Sequence, residues 1–375
     1  MQRISRLLVV AATLALVVAA CGGDGAIEDG GGTTAATAAP EDGETAACEP
    51  GVTDGDLNFY NWTEYIDPEL VTAFESEHGV DVVEDFYDSN EALLAKLQSG
   101  AIYDLIVPSD YMVGIMIDEG ILMELQKEAI PNISNLDPFF ADPAYDPGGV
   151  YSAAYQWGTT GLGVNMDVVG EDFEPSWALV FDPEQVAEYP GGVSLLNDPR
   201  ETMGAALMYL GYSMNSTSEE ELQEATDLIA GVKEHIATFD SDTYPDTLVN
   251  GEVAVSHGFS GGFLTAFLEA EEEKFVYVLP EEGATVWIDN MAVPANAEHP
   301  CTAHAFIDFL LDAENGAILT NWNYYASPNE ASEESIDAEV LDSYPPDDAF
   351  DRLVVIEHTG DFEINYTDFF AQARS

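Results

Sequence analysis

FYNWTEYIDPEL, Phe59 to Leu70, holds the end of a strand and the start of a helix. Leu57–Tyr60 is an apolar run that reads as a short strand. Asp67-Pro68 has the form of a helix N-cap followed by proline at the first helical position, and Gly79 closes that helix. Between them stand Trp62, Thr63, Glu64 and Tyr65. A carboxylate between two large aromatics is costly to expose and awkward to bury unpaired. The stretch therefore reads as one wall of a cation box rather than as a solvated turn.

Outward from it, strand-like and helix-like segments alternate. Val80–Tyr87 reads as a strand, Asn90–Ser99 as a helix ending at Gly100, and Tyr103–Pro108 as a strand. Ser109 then caps a helix that runs to Gly120. Val193–Asn197 is a strand, and Asp198-Pro199 opens a helix to about Tyr209. Ser218-x-x-Glu221 has the form of a capping box for a helix to His235. Glu252–Ser256 reads as a strand, Phe263–Ala270 as a helix, and Phe275–Leu279 and Thr285–Val293 as strands. This is α/β architecture. The glycine-rich WGTTGLGVN, Trp157–Asn165, divides the region and suits a crossing between two lobes, with IDNMAVPAN, Ile288–Asn296, as the return.

The chain carries 71 Asp and Glu against 9 Lys and Arg, a formal net charge of −62 over 375 residues. Nucleic acid and anionic membrane surfaces are excluded as partners by that charge. The acids are spread along the whole chain, which reads as a surface adapted to high salt. Residues 1–20 read as a signal peptide. Arg3 and Arg6 give the positive end, and Leu7–Val18 is too short to span a bilayer. Val18-Ala19-Ala20-Cys21 resembles a lipobox, which makes Cys21 the candidate lipidation site; the alternative is an ordinary signal peptide with a cysteine nearby. Residues 21–55 form an acidic, flexible linker almost without large apolar side chains. Cys48 and Cys301 are a candidate disulfide in an exported chain, or else two free thiols. No metal is expected: the six histidines are scattered and no CxxC, HExxH or DxDxDG loop occurs.

The unusual residues fall after strands. Trp62–Tyr65 follow one, Ser109 and Tyr111 another, Asp198 and Glu201 a third, Phe259 and Ser260 a fourth. Open α/β sheets meet ligands outside the carboxyl ends of their strands. Each residue has a plainer use: Ser109 and Asp198 as helix caps, Glu201 as a first-turn acid, Trp287 as core and Asp289 as one more surface acid. Taken together they supply aromatic faces and carboxylates, which suit positive charge on an apolar stem. A competing motif is Gly258-Phe259-Ser260-Gly261-Gly262, which matches the G-x-S-x-G elbow of an exported serine esterase, with His358 downstream.

From Leu57 to about Pro328 the chain resembles the spermidine/putrescine-binding proteins, the receptors of polyamine ABC importers. FYNWTEY, YDSNEALLAKL, YDLIVPSDYMV, SNLDP, WGTTGLGVN, DPRE, WIDNMAVPANA and YASPN carry the resemblance. It implies a two-lobed type II periplasmic-binding-protein fold with the ligand in the cleft between the lobes. Lobe 1 is expected over residues 56–161 and 290–330, lobe 2 over 162–289 and 331–375. It implies that Trp62 and Tyr65 are aromatic walls, that Thr63 and Glu64 hold a terminal amine, and that Ser109 and Tyr111 line the pocket. Asp198, Glu201 and Asp289 pair with amino groups, and Trp287 and Tyr325 are further walls. Phe259 stands where the family commonly has Trp, which keeps the wall and weakens its attraction for a cation. A family polar contact falls near Ile356 or Glu357. The resemblance implies a monomer without cofactor or catalysis that delivers spermidine or putrescine to a permease outside the cell. The second reading is the esterase at Ser260. The third is a receptor of the same fold for another solute.

Overall fold

The computed structural model describes residues 47–375. The expected signal peptide, the candidate lipidation site Cys21 and most of the expected linker lie outside the described residues.

Strand β1 (Leu57–Trp62) runs two residues beyond the expected Tyr60, because Asn61 and Trp62 still pair with Phe86 and Tyr87 of β2 (Val82–Tyr87). Helix α1 (Pro68–His78) joins them. Asp67 accepts the Glu69 amide, and Gly79 closes the helix at φ 68°. Helix α2 (Asn90–Gln98) follows, then β3 (Leu105–Ile106), which is shorter than the expected 103–108. Only Leu105 and Ile106 keep register with β1. The preceding Asp104 spends its carboxylate on Asn58 and on the amides of Glu298 and His299. Helix α3 (Asp110–Asp118) starts at Ser109, but the Ser109 side chain makes no cap hydrogen bond. The expectation that it caps is therefore corrected, and its hydroxyl is used elsewhere.

WGTTGLGVN lies within one continuous strand, β4 (Ser152–Asn165). Beyond it come β5 (Val193–Leu195), helix α4 (Pro199–Tyr209), helix α5 (Glu219–Val232), β6 (Ile236–Phe239) and helix α6 (Tyr244–Val249). The capping box before α5 is half formed. Ser218 accepts the Glu221 amide, while Glu221 bonds the Ser216 hydroxyl instead of reaching back. Strand β7 (Val255–Phe259) begins three residues later than expected and passes directly into helix α7 (Ser260–Ala270). Then follow β8 (Phe275–Val278), β9 (Ala284–Ala292), α8 (Pro300–Leu310), α9 (Ala313–Asn323), the two-residue β10 (Leu353–Val354) and α10 (Glu363–Arg374).

The sheet order is β2-β1-β3-β9-β4-β7-β5-β6, with β8 on β4 and β10 on β9. Parallel runs lie at both ends and antiparallel β9 and β4 join them. The first half of β4 pairs with β9 and the second half with β7 and β8. The glycines of β4 permit this crowding: a Cβ at Gly161 would stand 2.5 Å from the Val278 carbonyl oxygen. One apolar core packs Phe59, Phe74, Leu105 and Phe306 between β1, α1 and α8. Another packs Leu195, Leu207, Ile229 and Phe370 between β5, α4, α5 and α10. Cys48 and Cys301 form a disulfide with Cα atoms 5.1 Å apart, tying the start of the described chain to α8. Residues 330–341 pack on α9 through Ala317, Ile336 and Val340, whereas α10 packs on α5 and α4.

Candidate functional site

The carboxyl ends of β1, β5 and β7, the turn before α3 and the middle of β9 open on one cavity of about 480 Å³. All twelve residues singled out from the sequence line it.

Five of them form a chain of rings. Trp62 lies 6.3 Å from Phe259, Phe259 5.9 Å from Trp287, Trp287 5.5 Å from Tyr325, and Tyr325 5.0 Å from Tyr65. Polar tips hold these rings in place. Trp62 Nε1 donates to the Val107 carbonyl, Trp287 Nε1 to the Thr160 hydroxyl, and the Gly262 amide to Tyr325 Oη. The Trp62 and Phe259 rings come from opposite ends of the sheet, so the two halves meet around the cavity. Asn197 Nδ2, after β5, also bonds the Asp88 carboxylate, after β2.

The carboxylates divide by depth. Asp289, Glu201 and Asp198 are buried. Asp289 accepts from the Ser109 hydroxyl at 2.6 Å, which is where the missing helix cap went, and Asn90 Nδ2 donates to that same hydroxyl. Glu201 accepts from Thr160 through Oε1, while its Oε2 is buried without a hydrogen bond. Asp198 accepts the amides of Arg200 and Glu201, so its use as a cap coexists with its place in the cavity. Burial pushes Asp289 and Glu201 up to about 7 and raises Asp198 as well. Among the described residues, none of the three has a cationic side chain within 4.0 Å. The nearby Arg200 is committed elsewhere, at 2.7 Å from Glu363 and 4.2 Å from the centre of the Tyr366 ring.

Several lining residues escaped the sequence reading. Tyr87 and Asn90 come from β2 and α2, and Asp242, Asp246, Glu269 and Trp322 stand toward solvent. Tyr111, expected to touch the ligand, spends its hydroxyl on Glu91 at 3.0 Å. Glu64 sits at φ 52°, a left-handed conformation, with its side chain exposed. Of the two positions near which the family's polar contact falls, Ile356 lines the cavity as an apolar residue, while Glu357 is exposed and its carbonyl accepts from Arg200. Strand β7 passes into α7 at Ser260 without the left-handed turn of an elbow, its hydroxyl accepts from the Thr159 amide, and no imidazole among the described residues bonds it. His358 is exposed, and the buried His257 has no hydrogen bond on either nitrogen.

The model of bacterial extracellular solute-binding proteins matches residues 69–345. The chain belongs to that family. A putrescine/cadaverine-binding protein of Pseudomonas aeruginosa is 37% identical over 284 residues, 74% of this chain and 80% of the relative. The Escherichia coli putrescine-binding periplasmic protein PotF is 35% identical, over 80% and 86%. Among solved structures, the Treponema pallidum lipoprotein Tp0655 (TpPotD) superposes with TM-score 0.73 at 31% identity, over 85% of this chain and 99% of that one. The spermidine/putrescine substrate-binding protein PotD of Streptococcus pneumoniae gives 0.67 at 33%, over 86% and 99%. The two-lobed type II fold of this solute-binding family is thus the fold of the chain. No helix among the described residues is long and apolar enough to cross a membrane.

Proposed function

We propose that this solute-binding protein captures a polyamine outside the cell and hands it to an ABC-type importer. One observation carries the reading: three buried carboxylates, Asp198, Glu201 and Asp289, stand among aromatic rings, and among the described residues none of them has a cationic side chain within 4.0 Å. An unpaired buried carboxylate is costly, and a ligand ammonium removes that cost. Each charge-assisted hydrogen bond contributes about 1.5–3 kcal/mol, and each ammonium over a ring about 0.5–2 kcal/mol. Methylene segments between amines lie against the rings of Trp62, Phe259 and Trp287. The names of the relatives, which bind putrescine, cadaverine or spermidine, support the same class of ligand.

The proposed role is capture rather than catalysis, which the names of the relatives as binding proteins support. The twelve residues named from the sequence are the proposed contacts. The lobes are proposed as residues 56–161 with 290–344, and 162–289 with 345–375. The first boundary moves beyond the expected 330 because residues 330–341 pack on α9. The protein acts as a monomer tethered through lipid on Cys21, with the acidic surface suited to high salt. Its partners are the permease subunits of the importer.

Titrating the purified protein with putrescine and spermidine by calorimetry, at low and at molar salt, tests the reading. Saturable one-to-one binding that survives molar salt is the expected result, because a dry box is screened little. Heat that disappears with salt, or no heat with either amine, would sink it.

A further inference from the structure

Two residues that follow strands near opposite ends of the sheet are joined outside the ligand cavity. Asp88 follows β2, at one edge, and Asn197 follows β5, next to the other edge. Asn197 Nδ2 donates to the Asp88 carboxylate. On its other side, Asn197 Oδ1 accepts from Arg374 Nη1 in the last turn of α10. The Arg374 guanidinium is itself seated on rings, 4.8 Å from the centre of Phe370 and 5.7 Å from that of Phe239. Neither Asp88 nor Asn197 lines the cavity.

The arrangement is a relay of cation, amide and anion. A guanidinium only donates and a carboxylate only accepts, so one primary amide between them satisfies both in a single orientation. A carboxylate at position 197 has no donor for Asp88. Without the amide, Asp88 faces like charge: Asp242, in the loop before α6, is raised first by partial burial and further by Asp240 and Asp88. Among the described residues Asp88 has no cationic side chain within 4.0 Å. Asn197 is also held from behind, since its backbone amide donates to the Ser241 hydroxyl at 3.0 Å. The next residue, Asp198, caps α4. The relay therefore ties the β2 end of the sheet to the turn that presents Asp198 and Glu201. A second link leaves the other end of α10: Glu363 holds Arg200, whose guanidinium lies 5.4 Å from the centre of the Tyr111 ring.

We propose that Asn197 is a positioning residue for solute capture: with Arg374 behind it and Asp88 in front, it holds the two ends of the sheet together over a bound solute and so sets how slowly the solute leaves. The role is independent of the identity of the solute and goes beyond the polyamine reading. Asp88 and Asn197 are half-buried and Arg374 is exposed, so the contribution is modest and screened by salt. It acts on dissociation more than on association, because the relay is complete only when the two ends meet.

The test compares the purified parent protein with Asn197→Asp, Asp88→Asn and the variant carrying both substitutions. Asn197→Asp sets a carboxylate against Asp88 while keeping the acceptor for Arg374. Adding Asp88→Asn reverses the polarity of the relay, so that the amide at position 88 donates to the carboxylate at position 197. Putrescine dissociation, followed by stopped-flow tryptophan fluorescence at about 0.1 M salt, is expected to speed up roughly tenfold in Asn197→Asp. In the double variant it is expected to return to within about threefold of the parent. Melting temperatures without ligand are expected to coincide. Small-angle scattering without ligand carries the same comparison, with a larger radius of gyration for Asn197→Asp than for the parent or the double variant. An unchanged dissociation rate in Asn197→Asp, or a double variant as fast as the single one, overturns the relay. So does a melting temperature lowered equally in both, which would make Asn197 a residue of the fold alone. If putrescine binds none of the proteins, the polyamine reading falls and scattering alone decides the relay: equal radii for all of them overturn it.

Discussion

At the scale of single residues, Ser109 shows how a local rule gives way to a site. Serine before a helix ordinarily caps it, and here it donates to Asp289 instead. Ser109→Ala is therefore expected to leave the helical signal and the melting temperature near those of the parent, because no cap is lost. Amine affinity should fall, since Asp289 loses the donor that orients it. Circular dichroism with calorimetry separates the two, and a large drop in melting temperature would restore the capping role. Asp289→Asn keeps an acceptor for Ser109 but removes the charge. A loss of amine affinity of roughly 100-fold, about 3 kcal/mol, is expected with the fold intact. The acids also predict a pH dependence. Asp289 and Glu201 are held near 7 by burial, so at pH 6 they carry protons that an ammonium must displace. Affinity should rise from pH 6 to pH 8, by up to about tenfold per carboxyl for each pH unit below its pKa. Binding at pH 7 should release protons, visible as different heats in buffers of different ionisation enthalpy. Equal heats in both buffers would place these carboxylates in water.

At the scale of elements, α4 is the hinge of the chemistry. Its N-terminus presents Asp198 and Glu201 to the cavity, and Arg200 between them faces away into α10. Arg200 is fully buried; its Nη1 donates to both Glu363 carboxylate oxygens and to the Glu357 carbonyl, and its Nη2 donates to Asn215 Oδ1 and to the same carbonyl. Removing Glu363 leaves that charge without its carboxylate. Glu363→Ala is expected to cost roughly 2–3 kcal/mol in urea unfolding, below the full penalty for a buried pair because Glu363 is partly exposed. It should also loosen α10, seen as faster amide exchange there than in α1. A variant as stable as the parent would show that Tyr366 and the backbone carbonyl suffice for Arg200. The expected strands were less well bounded than the helices. Helix ends carry chemical signals such as Asp67-Pro68 and Gly79, whereas β3 ends where its partner's register ends, and β7 begins where Val193 and Val164 meet it.

At the scale of the whole molecule, the Cys48–Cys301 bridge spans 253 residues. Chain-entropy reasoning assigns such a loop roughly 5–6 kcal/mol at most, less any strain. Reduction is expected to lower the melting temperature clearly while amine affinity stays within about twofold, because the bridge joins the start of the described chain to α8, away from the cavity. Thermal melts with and without reductant check this, and an unchanged melting temperature would mean that the N-terminal segment adds no constraint. The two halves meet around carboxylates that repel closure when ionised. Without amine, acidification toward pH 5 should therefore favour the compact form, and small-angle scattering should record a smaller radius of gyration than at pH 8. No change with pH would mean that lobe contacts such as Trp62 with Phe259, rather than the buried acids, govern closure.

The sequence by itself determined the α/β alternation, the helix starts and the identity of the rings and deep acids, because these depend on side-chain chemistry at short range. WTEY, DPRE and WID announce an aromatic and acidic wall wherever they are placed. Only the tertiary structure decided which of the many acids matter. Asp242, Asp246 and Glu269 are indistinguishable from surface decoration in a chain of net charge −62, and they join Glu64 only because the loop before α6, α6 and α7 line the same cavity as the turn after β1. It also decided that Ser109 serves Asp289 rather than its own helix, and that Ser260 has no histidine. Such facts depend on contacts between residues about a hundred or more positions apart, and chain spacing does not encode where those residues meet.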